Sequence, residues 1–221
     1  MPEPVKRQYH SEARERQAAG TRLAIRQSAA GLFVSRGYAG TNMHDVAARA
    51  GVADRTLYKV FPTKIDLFRH VLGVAIGGDE EELHVHERAS VQAVLAERDP
   101  EAVLAGTVDV SASLLDRAAA LIMVSVEAAG SDPELRATSD AGAKATYAAH
   151  LTVARHLSSL GALRTGLSPA DAADVMYALA SPFTHQLLRR DRRWSSRRYR
   201  RWLVTTLTTQ LLARDRWPDQ D

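Results

Sequence analysis

The sequence contains no cysteine among its 221 residues. This absence excludes a disulfide scaffold, a thiol nucleophile and every metal site that depends on cysteine ligands. The sequence also has no uninterrupted apolar run near the roughly 18 residues that a membrane-spanning helix needs. Because the first residues lack the apolar core of a signal peptide, we expect a soluble cytoplasmic protein.

Charge is distributed unevenly along the chain. Residues 1–72 contain 12 Lys and Arg against 6 Asp and Glu, whereas residues 73–189 contain 8 against 16. Residues 190–221 are basic again, with 9 against 4. A basic first third beside an acidic middle favours a polyanion, such as nucleic acid, as the partner of the first third. Ordinary surface charge would give similar counts, so charge alone leaves the partner open.

Apolar residues recur at intervals of three and four, which predicts an almost entirely helical chain. The first helix is predicted to begin at Thr21 and to stop at Gly37, which leaves residues 1–20 as a flexible basic arm. Shorter helices are predicted from Thr41, over 53–60 and from Thr63.

Later helix starts are marked by a capping residue followed by proline at the first helical position. These pairs are Asp99-Pro100, Asp132-Pro133 and Ser168-Pro169, and another helix is predicted within 79–97. The last two helices are predicted at 169–189, with Phe183 and Leu187 facing inward, and at 196–213 after a cap at Ser195.

Residues 41–61 read TNMHDVAARAGVADRTLYKVF, a pattern that predicts a helix-turn-helix. Ala47, Ala50 and Gly51 are small enough to allow two short helices to pack at a steep angle. The second helix has a polar outer face consisting of Arg55, Thr56, Tyr58 and Lys59. A helix of this kind fits the major groove of B-form DNA.

Residues 21–72 resemble the DNA-binding domain of the tetracycline-repressor (TetR) family of bacterial regulators. The matching residues are Thr21-Arg22, Ile25, Ala29-Ala30, Leu32-Phe33, Gly37-Tyr38, Thr41, Asp45-Val46-Ala47, Ala50-Gly51-Val52, Thr56-Leu57-Tyr58, Phe61, Lys64 and Leu67-Phe68. The last two predicted helices are similar to the pair that forms the dimer in many members. Residues 73–167 match no motif of the family.

The resemblance implies an all-α fold of about nine helices. It implies a helix-turn-helix DNA-binding domain at 21–72 and a ligand-binding and dimerisation domain at 73–221. The protein would then be a homodimeric regulator, most often a repressor, which a small molecule releases from a palindromic operator in double-stranded DNA. We expect no enzymatic activity and no cofactor, because the sequence has no nucleophile elbow, phosphate-binding glycine loop or HExxH motif.

Six residues receive DNA-binding roles. Thr41, at a helix N-terminus, would either cap the helix alone or face phosphate directly. His44 occupies the place where a carboxylate or amide would complete a capping box. By resemblance, Thr56, Tyr58 and Lys64 contact the DNA backbone. Arg55 and Lys59 are our candidates for base edges, although Arg55, where the family often has glycine or alanine, could equally rest on phosphate. For any one of them alone, a solvated surface side chain is the alternative.

Ligand residues are harder to assign, since polar or adaptable side chains on apolar helices often belong to a core or an interface. The candidates are Met123, Glu127, Tyr147, His150, Met176 and His185. A buried Glu127 would suit an amphiphilic or cationic ligand, whereas an exposed one would have no such role. His84 and His86 lie beside an acidic run but diverge on a helix, so we expect no metal site.

A protein of another class remains an alternative: a helical ligand-binding or scaffold protein whose DNA binding is vestigial. Retention of Thr56, Tyr58 and Lys64 favours the regulator. The two hypotheses differ in measurable terms, because only the regulator should bind DNA with a strong dependence on salt.

Overall fold

The computed structural model describes residues 5–79 and 87–213, with side chains from residue 16 onward, and this part of the chain is mainly helical. The helices are α1 (Val5–Arg36), α2 (Met43–Ala50), α3 (Asp54–Val60), α4 (Lys64–Gly77), α5 (Ala89–Ala96), α6 (Pro100–Ala128), α7 (Pro133–Ser159), α8 (Pro169–Leu179), α9 (Pro182–Gln186) and α10 (Ser196–Leu211), with a π-helical turn at Leu187–Asp191. Within these residues the only β pairing is an isolated bridge between Leu163 and Leu212. The predicted all-α class is confirmed.

Helix α1 begins at Val5, so the predicted helix start at Thr21 is wrong. The segment before Thr21 is rich in Glu, Arg, Gln and Ala and has no proline after residue 4. These residues favour a helix by their intrinsic propensity, although they form no apolar stripe that periodicity could reveal. Whether residues 1–20 act as an arm toward DNA stays a prediction.

The proline-marked helix starts are confirmed. Side chains of Asp99, Asp132 and Ser168 each accept a hydrogen bond from the first turn of the helix that follows, and proline occupies the first helical position each time. Ser195 caps α10 in the same way. Of the helix predicted within 79–97, α5 is described, while residues 80–86 lie outside the described residues.

The single helix predicted at 169–189 is wrong. Ser181 and Pro182 interrupt it, because proline lacks the backbone N–H that would continue the hydrogen-bond ladder. Ser181 then caps α9 by accepting from Thr184 N at 3.1 Å. As a result Phe183 and Leu187, which we expected to face inward, are 56% and 55% exposed.

Two hydrophobic cores share helix α6. The first core lies among α1–α4 and includes Leu121 and Val124 from the C-terminal half of α6. The second core lies among α5–α8 and α10 and includes Val103 and Leu104 from the N-terminal half. The position of the helix-turn-helix relative to the remaining helices is therefore set mainly by α6, and Leu135 of α7 adds to the first core.

Asp116 of α6 forms a polar attachment between this helix and the C-terminal elements. Its carboxylate accepts hydrogen bonds from His185 Nε2 at 3.1 Å, Arg189 Nε at 3.2 Å and Ser196 Oγ at 2.8 Å. Partial burial opposes ionisation, but these hydrogen bonds outweigh it and hold the pKa of Asp116 below its usual value. The ionised carboxylate thus anchors α9, the π-helical turn and the start of α10.

No helix in the described ranges is both long and apolar enough to cross a lipid bilayer.

The buried His150 of α7 predicts a loss of stability in acid. Burial lowers the pKa of His150 from 6.5 to about 4, so the folded protein binds this proton less readily than the unfolded chain. The free energy of unfolding should therefore fall as the pH drops through the range from 6.5 to 4, by about 2 kcal/mol at pH 5. Urea unfolding at about pH 7.5 and pH 5 measures this difference.

His150→Leu is the matched control, since it removes the titrating group and keeps an apolar site occupied. This variant should lose about 2 kcal/mol less than the parent protein between the two pH values. An identical loss in both proteins would show that His150 does not titrate in this way.

Candidate nucleic-acid interface

The turn between α2 and α3 requires glycine. Gly51 has φ of 68°, a left-handed conformation that side chains with a Cβ adopt only at a cost. After it, Val52 N donates to Ala47 O at 3.0 Å and ends α2. Val46, Ala47 and Leu57 are fully buried and lie in the core from which α2 and α3 project. The predicted helix-turn-helix is thus present in the structure.

The N-cap of α2 is Asn42, so the prediction of Thr41 as the cap is wrong. Asn42 Oδ1 accepts from Asp45 N at 2.8 Å. Thr41 is only 1% exposed, and its hydroxyl donates to Gly37 O at 2.8 Å, which leaves its side chain inaccessible to a phosphate. The register is one residue later than we assumed, which places Asp45 rather than His44 at the third helical position.

Lys64 is held against the protein backbone at the start of α4. Its ammonium donates to Tyr38 O at 3.0 Å and to Thr41 O at 3.1 Å, and it lies 4.2 Å from the centre of the Tyr38 ring. Partial burial lowers the pKa of Lys64. Two of its three N–H donors are therefore used within the protein, and one remains for a phosphate.

The outer face of α3 has the side chains that the sequence predicts. Arg55, Thr56, Tyr58 and Lys59 are all exposed, and the Tyr58 side chain is 50% exposed although it is aromatic. None of the four makes a side-chain hydrogen bond or ion pair with another described residue. On the same helix Leu57 is 0% exposed and holds α3 in the core.

Sequence reasoning missed two side-chain contacts here: an ion pair that joins α1 to α2, and a histidine–carboxylate contact that joins α2 to α3. Arg36 of α1 donates to Asp45 at 2.7 Å, and His44 Nδ1 lies 3.0 Å from Asp54 at the start of α3. The hydrogen bond to Asp54 raises the pKa of His44. No local pattern signals either contact, because nine and ten residues separate their members.

The six candidate ligand residues lie in different surroundings. Glu127 is exposed, so the argument from a buried carboxylate is wrong. Met176 is fully buried in the second core, His150 is 5% exposed, and His185 binds Asp116. Tyr147 packs edge-on against Tyr177 at 6.1 Å, and Met123 is half-buried on α6.

Two clefts lie elsewhere on the described surface, and neither is lined by these six residues. One, of about 550 Å³, is bordered by Arg164, Thr165 and the end of α10. The other, of about 600 Å³, lies between the end of α4, the start of α5 and the middle of α6.

Among the described residues, no group of three or more His, Asp or Glu side chains could hold a metal ion. His84 and His86 lie outside the described residues.

Residues 25–71 match the family model of bacterial regulatory proteins of the tetR family. This range contains the end of α1, the whole helix-turn-helix and the first half of α4. No curated protein sequence matches the chain significantly.

Solved structures of transcriptional regulators share the fold over most of the chain. A regulator from Saccharomonospora viridis in complex with choline is 20% identical with a TM-score of 0.67, covering 87% of this chain and 98% of its own. NalD, a repressor of a multidrug efflux pump in Pseudomonas aeruginosa, is 22% identical with a TM-score of 0.62, covering 87% and 96%. AibR in complex with isovaleryl coenzyme A and operator DNA is 22% identical with a TM-score of 0.64, covering 86% and 99%.

These similarities show a common fold, while the assignment to a family comes from the match at the helix-turn-helix. Residues 25–71 thus form a helix-turn-helix domain of the kind found in bacterial regulatory proteins of the tetR family.

Proposed function

We propose that the protein is a homodimeric repressor that binds a palindromic operator through α3 and releases it when a small molecule binds the C-terminal domain. The DNA-binding domain is residues 21–72, and residues 73–221 form the domain for ligand binding and dimerisation. The exposed polar face of α3, with no partner among the described residues, is the observation on which this proposal mainly rests.

Arg55 and Lys59 carry the base contacts in this proposal. They lie one helical turn apart on the exposed face of α3, a spacing at which two side chains point to the same side. A guanidinium can donate two hydrogen bonds to guanine O6 and N7. Thr56 and Tyr58 supply hydroxyl groups to phosphate, and the remaining donor of Lys64 adds a charged contact.

Removal of Arg55 should weaken specific binding. We expect Arg55→Ala to reduce operator affinity by about 5- to 150-fold, because a bidentate base contact is worth about 1–3 kcal/mol. Operators selected from random DNA would provide the sites, and fluorescence anisotropy at several salt concentrations would provide the affinities.

Arg155→Ala is the matched control, since Arg155 is an exposed arginine of α7 far from the helix-turn-helix in sequence. The Arg155→Ala variant should have the same operator affinity as the parent protein, and the same dependence of affinity on salt concentration. If Arg55 contacts a base, its removal relaxes the preference at one operator position. If it contacts phosphate instead, the slope of log affinity against log salt concentration falls in magnitude by about one, and the base preference at every operator position stays the same. Equal affinity of the Arg55 and Arg155 variants would refute the role of Arg55.

Dimerisation is proposed at the surface of α8, α9 and the π-helical turn. Tyr177, Phe183 and Leu187 are 37%, 56% and 55% exposed there. Large apolar side chains on one surface are typical of interface cores, in which aromatic residues are enriched. A twofold dimer formed there would present its two α3 helices to half-sites about 34 Å apart.

A charge in this surface should separate the protomers. We expect Phe183→Asp to weaken dimerisation by at least about 30-fold, equivalent to about 2 kcal/mol for a central interface residue. Sedimentation velocity over a range of protein concentrations measures the change. Val34→Asp, at an apolar position of α1 with 49% exposure, is the control and should remain dimeric. A dimer unaffected by Phe183→Asp would place the interface elsewhere.

Ligand response is proposed as a shift between two conformers. In one conformer the spacing of the two α3 helices does not match the spacing of the operator half-sites. A ligand that binds this conformer more tightly will lower operator affinity by at most the ratio of the ligand's affinities for the two conformers. Choline and isovaleryl coenzyme A in the two similar regulators support a small-molecule effector.

A further inference from the structure

We infer that the middle of α7 forms one wall of a groove for an uncharged molecule with an apolar body and a hydroxyl group, and that His150 is the partner of the hydroxyl. This inference rests on the proposed ligand response, for which it names a site and a ligand class. Burial along α7, open space at Gly142 and an unpartnered imidazole at His150 support the assignment.

One side of α7 is buried at both ends and open in the middle. Leu135 and Val153 lie on this side, in the first and the second core respectively. Between them the same side carries Gly142 and Thr146, because intervals of four and seven residues keep one face of a helix aligned. Both residues are exposed, and no residue from 136 to 149 is buried. The middle of α7 therefore stands away from the body of the protein.

Gly142 marks the open space beside this part of α7. A Cβ added there would meet no described heavy atom within 4 Å, apart from its chain neighbours and the backbone of its own helix. The C-terminal half of α6 and the start of α7 share the first core, whereas the opposite ends of both helices share the second. The two helices are thus antiparallel, and the open stretch lies between their middles.

His150 closes one end of this groove. It lies one turn after Thr146 on the same side of α7 and is only 5% exposed, and its Nε2 has no hydrogen-bond partner among the described residues. Side chains of an α-helix lean toward the N-terminus, so the imidazole covers the turn at Thr146. A buried polar atom without a partner is destabilising. A ligand that binds the ring would supply the missing hydrogen bond.

The protonation state of His150 favours a hydroxyl group as the partner. Burial lowers the pKa of His150 to about 4, so the imidazole is neutral at physiological pH, with one N–H donor and one acceptor nitrogen. A hydroxyl group both donates and accepts, and therefore matches either tautomer. A carboxylate only accepts and an ammonium only donates, and either charge would lose hydration beside a neutral ring.

Small side chains in the groove leave room for an apolar body. Gly142 has no side chain, and the exposed Ala143 and Ala149 near it contribute only methyl groups. From Gly142 to His150 the helix rises about 12 Å, which is long enough for a bicyclic ring system.

The start of α7 connects this groove to the helix-turn-helix. Arg69 of α4 donates from Nε to Thr138 Oγ1 at 3.2 Å, and its Nη2 lies 4.0 Å from Glu134 Oε1. These two partners precede Gly142 by about one and two turns of α7. A ligand that draws the middle of α7 toward α6 would shift these contacts with α4, and with them the position of the helix-turn-helix.

Three bicyclic probes test the ligand class: 2-naphthol, naphthalene and 2-naphthoate. Isothermal titration calorimetry on the full chain without DNA should show 2-naphthol bound once per chain, and about tenfold more tightly than naphthalene. One net hydrogen bond accounts for a preference of this size. The anionic 2-naphthoate should bind more weakly than 2-naphthol. Equal affinities for 2-naphthol and naphthalene, tightest binding of 2-naphthoate, or no binding of any probe would overturn the inference.

Gly142→Leu tests the location of the groove, because leucine would occupy the open space and favours the helix more than glycine does. This variant should bind all three probes at least about tenfold more weakly, as expected for an overpacked site. Ala141→Leu, at the adjacent exposed position on another side of α7, is the matched control and should bind like the parent protein.

Two results with these variants would contradict the groove. One is equal probe affinity of the Gly142 and Ala141 variants. The other is a loss of dimer in sedimentation velocity for Gly142→Leu with unchanged probe binding, which would assign the middle of α7 to an interface between protomers.

His150→Leu tests the partner of the hydroxyl. This variant should lower the affinity for 2-naphthol to about that for naphthalene, while the affinity for naphthalene stays unchanged. The ratio of the two affinities reports the hydrogen bond even if the variant is less stable. An unchanged ratio would show that His150 does not bind the hydroxyl group.

Operator binding is measured separately, so the two proposals can fail independently. Preference for 2-naphthol through His150 in a protein that binds no operator would support the site and contradict the proposed regulation. Normal operator binding by a protein that does not discriminate among the probes would do the reverse.

Discussion

Helix α6 is the constraint on which the remainder of the structure depends, because its two halves belong to different hydrophobic cores. Leu121 and Val124 pack with α1–α4, whereas Val103 and Leu104 pack with α5, α7, α8 and α10. A closely packed interior transmits displacement with little compression. Movement of α6 relative to either core therefore changes how the helix-turn-helix is held relative to the C-terminal helices.

Polar side chains on α6 bind to different parts of the protein. Asp109 and Asp116 face the C-terminal elements, where Arg200 binds both carboxylates. Arg117 faces the opposite neighbour and binds the last carbonyls of α4. Asp116 thus attaches α6 to the elements of the proposed dimer surface. The next residue, Arg117, attaches α6 to α4 of the proposed DNA-binding domain.

Local chemistry allowed much of the fold to be predicted from the sequence. Proline after Asp99, Asp132 and Ser168 specifies a helix start wherever it occurs, since the missing N–H and the fixed φ act within one turn. The same reasoning predicted the turn at Gly51 and the exposed face of α3. It failed before Thr21, where helix propensity acts without an apolar stripe, and at Pro182, whose interruption of a periodic segment we overlooked.

What the sequence by itself determined is where the proline-marked helices begin and which residues lie on the exposed face of α3, because both depend on neighbours within about four positions. The tertiary structure alone decided which polar residues meet across the chain. It buried Thr41, placed the Lys64 ammonium on the Tyr38 carbonyl, left Glu127 exposed and brought Arg117 to the end of α4. These contacts join residues that are distant in sequence. No local pattern encodes the way in which long helices pack against one another.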